Sequence, residues 1–220
     1  MSNEYTKGIA FIMEGATEKV FYRSFLQWLA ENNKGCSFIK ADNIGIGEIA
    51  FEWKSGKNTL LIKFNVVGAI TQVTHSGKWF ANTCSKRYKI PWQVFLCYDT
   101  DSHDNDISKF YEGDWKLLRD ELKKAKAKEI IDLAACVDIE DVMLVDLGGI
   151  CKYLGISIPA ELKGRKGKAK MKALYRSCGR TYHEGEKAAD MIEGLDFQKI
   201  MDEGPIDLHR LENEIKQTIY

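Results

Sequence analysis

Residues 92–101 read WQVFLCYDTD, an apolar run that ends on two carboxylates separated by one threonine. Bounded by Pro91, the run has the composition of a central strand covered on both faces. Residues 8–18, GIAFIMEGATE, repeat the pattern: a short apolar run between glycines, then Glu14-Gly15-Ala16-Thr17-Glu18. In an open parallel sheet, ligands bind outside the carboxyl ends of the strands. If the two runs are parallel neighbours, Glu14, Glu18, Asp99 and Asp101 converge there. Carboxylates that close repel one another unless a cation or protons intervene. Hard oxygen donors in that number suit Mg²⁺ (or Mn²⁺). Each piece also has an ordinary reading. Glu18 in the first turn of a helix complements its dipole, and Asp99 and Asp101 are able to hydrogen-bond their own loop. The placement of both motifs after apolar runs is what argues for a site.

Working outward, ATEKVFYRSFLQWLAEN places Val20, Phe21, Phe25, Trp28 and Leu29 on one helical stripe. Thr17 is the expected N-cap, and Asn32, Asn33 and Gly35 are the stop. SFIKAD and NTLLIKFNVV read as strands with a glycine-rich stretch (Gly45, Gly47) between them. A helix is expected over about 68–87 with Ile70, Val73 and Trp79 inward. Another is expected from Asp114 to Ala127, and EIIDLAAC reads as a strand. Residues 139–154 look helical with a break at Gly148-Gly149, and the chain closes with helices over 186–202 and 207–219, divided by Gly204-Pro205. Strands alternating with helices predict an α/β domain, a mostly parallel sheet flanked by helices, over 6–145. A mainly helical part follows over 146–220.

The 220 residues are 45% hydrophobic and 11% aromatic, enough for a sizeable core. Lys plus Arg equals Asp plus Glu at 32 each, so contact with a nucleic acid requires a local basic patch rather than bulk charge. The run KGRKGKAKMK at 163–172 is that candidate. It holds Lys163, Arg165, Lys166, Lys168, Lys170 and Lys172, with Gly164 and Gly167 between them, although charge runs are commonly just solvated loops. The six cysteines show no C-x-x-C pair and no zinc spacing, and Cys97 and Cys136 read as small buried hydrophobes. No leader, no membrane span and a reducing cytoplasm are expected. Trp28, Trp79 and Trp92 are expected in the core. His103 and His183 read first as surface residues, although Tyr182, His183 and Lys187 follow the basic run closely.

The strand-EGxTE-helix opening, FIMEGATEKVFY, followed by strand-DxD, resembles the Toprim domain shared by topoisomerases, primases and OLD-family nucleases. The EG-x-TE form is most similar to the OLD nucleases and the RloB-like proteins of bacterial phage defence. That resemblance spans residues 8–145. It implies a Toprim-like sheet and metal ligation by Glu14, Asp99 and Asp101, with Glu18 added as in the OLD group. The segment DIEDVML at 138–144 resembles a motif of the RloB-like group and would bring Glu140 to the site. The spacing from Glu14 to Asp99 is long for a minimal Toprim domain and implies an insertion within 42–65. No G-x-x-x-x-G-K-[ST] occurs, so an ATPase would have to be a partner protein.

The expected function is Mg²⁺-dependent hydrolysis of phosphodiesters in DNA or RNA, with Glu14, Asp99 and Asp101 at the chemistry. Lys168 or Lys170 would neutralise transition-state charge, and the 163–172 run would hold the backbone. The alternative is a catalytically silent partner or sensor subunit in phage defence. A phosphatase reading of Asp99-Thr100-Asp101, as in haloacid dehalogenases, is weakened by His103 at the fifth position and by the motif's depth in the chain.

Overall fold

The computed structural model describes residues 5–42, 45, 47–68, 73–103 and 106–219. Strand β1 (Lys7–Met13) leads into helix α1 (Ala16–Glu31), then strands β2 (Cys36–Lys40), β3 (Ile49–Ser55) and β4 (Asn58–Val66). Helix α2 (His75–Trp79) runs on as a π-helical segment, Phe80–Ser85, before β5 (Trp92–Asp99), α3 (Gly113–Lys124) and β6 (Glu129–Ala135). Helices α4 (Ile139–Met143), α5 (Leu147–Leu154), α6 (Gly167–Ser177), α7 (Ala189–Glu193), α8 (Phe197–Glu203) and α9 (Leu208–Ile219) complete the chain.

The six strands form one sheet in the order β2-β3-β4-β1-β5-β6. β1 pairs in parallel with both β4 and β5, and β5 in parallel with β6, whereas β3 is antiparallel to both β2 and β4. The expected α/β architecture is therefore present, with an antiparallel edge. Alternation along each strand divides the core. Ile9, Phe11, Met13, Phe95 and Cys97 face α1 and the C-terminal helices, while Ala10, Ile12, Val94, Leu96 and Tyr98 face α2 and α3. Phe11 stacks on Phe95 at 5.3 Å between ring centroids, and burying each such ring contributes about 1.5–3 kcal/mol. The apolar cluster on the α1 face runs unbroken from β1 to Ile215 in α9, so the C-terminal helices share the sheet's core. Among the described residues no helix is long and apolar enough to cross a membrane.

Several local expectations need correction. Strand β3, IAFEWKS, lies where only a glycine-rich connection was expected. It reverses into β4 through Gly56 at φ 56°, a left-handed conformation that glycine takes without strain. The helix expected over 68–87 begins only at His75, and Ile70 lies outside the described residues. The break in 139–154 falls at Leu144–Asp146 rather than at the glycines. There the Asp146 carboxylate caps α5 by accepting from the Gly149 N–H at 3.0 Å, and a Cβ on Gly149 would collide with it. The span 186–202 is likewise interrupted, because Asp196 caps a new helix by accepting from the Lys199 N–H. The second half of the basic run is the first turn of α6, not loop. Trp92 is buried, whereas Trp28 and Trp79 pack at the core's edge, and Cys136 is only half-buried.

Candidate functional site

β1 and β5 are parallel neighbours in the register Met13 to Cys97, and their connections leave on opposite faces, to α1 and to α3. That divergence opens a crevice beyond the strand ends. The crevice is an open cleft of about 520 Å³ lined by seven carboxylates and two lysines. Glu14, Glu18, Asp99, Asp101 and Glu140, all anticipated, line it together with Asp138, Glu184, Lys166 and Lys168.

Glu14 follows β1 directly; its N–H donates to the Cys97 carbonyl and its carboxylate accepts from the Asp99 N–H. Glu18 stands in the first turn of α1. The N-cap is Gly15, in an extended conformation, and not Thr17. The Glu18 carboxylate reaches back to the Gly15 N–H, and a Cβ on Gly15 would meet it at 2.8 Å. Thr17 instead accepts through its hydroxyl from the Gly185 N–H at 3.1 Å, tying the C-terminal part to the cleft. Glu140 sits in α4, 4% exposed, and accepts from the buried Tyr182 hydroxyl at 2.9 Å.

The carboxyl ends of β5 and β6 are locked together by strained backbone. Asp101 and Val137 adopt φ 58° and 65°, left-handed values that a β-branched valine rarely accepts. The Asp101 N–H donates to the Val137 carbonyl, and the Thr100 hydroxyl accepts from the Val137 N–H at 3.0 Å. Asp101 and Asp138, which flank this lock, both line the cleft.

The electrostatics follow from burial and crowding. Burial, then repulsion from Glu18, Glu14, Asp138 and Glu140, pushes the Asp99 carboxyl up to about 9. Burial raises Glu18 to about 7, against the pull of the helix amides, and raises Glu140 to about 7 with help from Asp138. Glu14 and Asp138 are also raised, chiefly by burial. Asp99 Oδ1 is buried with no hydrogen-bond partner. A buried, orphaned carboxylate oxygen among raised carboxylates is what a bound hard cation would satisfy. The donor set therefore fits Mg²⁺ in kind. Among the described residues, however, no three acidic, His or Cys side chains stand in ligating geometry about one point.

The basic run meets this acidic pole through ion pairs. Lys166 donates to Asp101 at 2.6 Å, Lys168 to Glu184 at 2.8 Å and Lys170 to Asp141 at 2.6 Å. Lys166 and Lys168 line the cleft, whereas Lys170 lies outside its lining. Gly167 allows the approach, because a Cβ there would meet Asp138 Oδ1 at 2.2 Å. His103 and His183 are exposed and outside the lining. Sequence reasoning missed Asp138 and Glu184 as site residues and read Lys166 only as a backbone contact of the basic run. Asp138 carries a legible signal, a carboxylate three residues before Asp141 that accepts from the Asp141 N–H to cap α4; Glu184 carries none.

No protein-family model and no curated protein matches the chain. Among solved structures, the chain is similar to the hypothetical protein PH0156 of Pyrococcus horikoshii OT3, with a TM-score of 0.45, 14% identity, and 97% of this chain and 94% of that one covered. It is also similar to a 5′-methylthioadenosine/S-adenosyl homocysteine nucleosidase of Helicobacter pylori, at TM-score 0.29, 10% identity and 98% of each chain. A third likeness is to the cytosolic domain of L. pneumophila FeoB, at TM-score 0.30, 9% identity, and 97% and 88% coverage. Likenesses this weak identify neither a family nor an activity.

Proposed function

We propose that the cleft holds Mg²⁺ or Mn²⁺ and hydrolyses phosphodiester bonds in DNA or RNA, as a Toprim-like enzyme related to the OLD and RloB-like groups. The observation that carries this reading is the convergence of Glu14, Glu18, Asp99, Asp101 and Glu140 in one cleft, with Asp99 Oδ1 orphaned among them. These five carboxylates would hold the metal, which when bound supplies Lewis-acid activation of water and charge neutralisation. Lys166 and Lys168 at the rim are placed to take a phosphate in exchange for Asp101 and Glu184. Lys170 supports that arrangement through Asp141, on which Gly167 also docks. All six cysteines are free, which suits a reducing cytoplasm.

Titration calorimetry with Mn²⁺ tests the metal, and incubation of plasmid DNA and structured RNA with and without EDTA tests the chemistry. Asp99→Asn and Glu14→Gln should lose both metal uptake and cleavage. Metal uptake unchanged in both variants would reject the site. One observation favours a second reading, a silent partner subunit in phage defence working beside an ATPase or other protein. Lys166, Lys168 and Lys170 are each already neutralised by a carboxylate of the same chain. Metal uptake without cleavage of any nucleic acid would support that reading.

A further inference from the structure

The two ends of β5 open onto pockets of opposite charge. The carboxyl ends of the strands bear the acidic cleft. At the amino ends of β5 and β6, a pocket of about 470 Å³ is lined by Lys86, Lys89, Lys124 and Lys126, with Tyr88 and Trp92 forming its wall. All four lysines are exposed, and no acidic residue is among the described residues lining the pocket. Among the described residues Lys124 and Lys126 have no carboxylate partner, and Lys86 donates only to the neutral Asn82 amide, at 3.2 Å. The contrast with Lys166, Lys168 and Lys170 is direct, since each of those is neutralised within the chain.

Two of these cations have a local explanation. Lys124 stands in the last turn of α3 and Lys86 caps the π-helical segment, positions where a positive charge complements the helix dipole. Lys126 shares the dipole setting of the α3 C-terminus but adds an unusual backbone. It occupies the position after the α3 C-cap at φ 64°. Its N–H donates to the Lys123 carbonyl and the next N–H, of Ala127, to the Leu122 carbonyl, the paired bonds of a Schellman ending. Glycine takes that left-handed position without strain, whereas lysine does so at a conformational cost. A strained residue that the turn itself does not require points to a use for its side chain.

We infer that this pocket docks the phosphate backbone of a nucleic acid, as an anchoring surface separate from the cleft. Charge complementarity selects a polyanion, and a cluster of lysines without an arginine suits backbone contact rather than base readout. β5 is eight residues long, so the anchor stands roughly 25 Å from the cleft along the strand axis. A polymer is then held at one pole while the other acts on it. The inference deepens the nuclease reading, but the two fail separately.

The test is fluorescence anisotropy of a labelled mixed-sequence oligonucleotide, as single strand and as duplex, over a salt series with the full chain. The combined variant Lys86→Ala, Lys124→Ala, Lys126→Gly should weaken duplex binding roughly tenfold or more at low salt. It should also flatten the slope of log K against log salt by about two to three units. Lys126→Gly alone should weaken binding while its melting temperature stays level or rises, an outcome that a purely structural lysine does not give. Unchanged salt dependence in the combined variant overturns the anchor even if the cleft binds metal. Binding of polyglutamate or of phosphatidylserine vesicles with none to nucleic acid overturns it as well. Failure of Asp99→Asn to lose Mn²⁺ would reject the cleft reading and leave the anchor standing.

Discussion

Replacing Glu18 by glutamine separates a carboxylate waiting for a cation from one that merely caps a helix. Glu18 is 6% exposed, and burial raises its carboxyl from 4.5 to about 7. In the unfolded chain it loses its proton above 4.5, while the folded chain keeps it to about 7. Unfolding between those values therefore releases a proton, and stability falls as pH rises through the window. At 1.36 kcal/mol per unit, the charged form costs the folded, metal-free protein on the order of 3 kcal/mol by pH 8. Glu18→Gln removes that cost and keeps an oxygen for the Gly15 N–H. In EDTA the variant should match the wild type near pH 4 and exceed it at pH 8, by roughly 6–12 °C for a chain of this size. Added Mg²⁺ should raise the wild type at pH 8 and close most of the gap, since binding to the native state alone is linked to folding. Thermal unfolding followed by circular dichroism at both pH values, with EDTA or Mg²⁺, reads all four states. A Glu18→Gln melting temperature below wild type at pH 8 in EDTA would refute the reasoning, and Glu18 would then be a helix cap.

Thr17→Val removes the acceptor for the buried Gly185 N–H and should cost about 1–3 kcal/mol in urea unfolding, against nothing for Thr17→Ser. Gly167→Ala drives a methyl into Asp138 and the Asp141 amide, so it should cost about 1–3 kcal/mol and loosen Lys168 from the cleft, visible as faster amide exchange at the start of α6. Asp101→Asn keeps a residue that tolerates φ 58° and removes one charge from a crowded cleft, so metal-free stability should hold or rise while Mg²⁺ stabilisation shrinks. A clear loss of metal-free stability would instead show that the Lys166 ion pair is structurally important.

The apolar runs GIAFIM and WQVFLCY determined two buried strands, and the position of Glu14 and Asp99 at their ends determined that these carboxylates lie at the strand termini. Those features are local, because burial on both faces demands an apolar run and polar residues mark where it stops. The helix over 16–31 was legible from its own periodicity. Strand β3 was not: IAFEWKS alternates imperfectly, and its strand character comes from pairing with β2 on one side and β4 on the other. Thr17 looked like a cap because caps are read from residue type, but Gly15 holds the extended conformation and frees Thr17 for a partner 168 residues away. Only the tertiary structure decided that Asp138 and Glu184 join the cleft, that Lys170 leaves it, and that Lys166, Lys168 and Lys170 of the basic run are neutralised by the chain's own carboxylates. Likewise, Lys86, Lys124 and Lys126 stand in two ordinary stretches of sequence and meet only because β5 and β6 are neighbours. Charge in a sequence shows which residues are ionised, but the fold decides which opposite charge each one faces, and so which of them remain available to a partner.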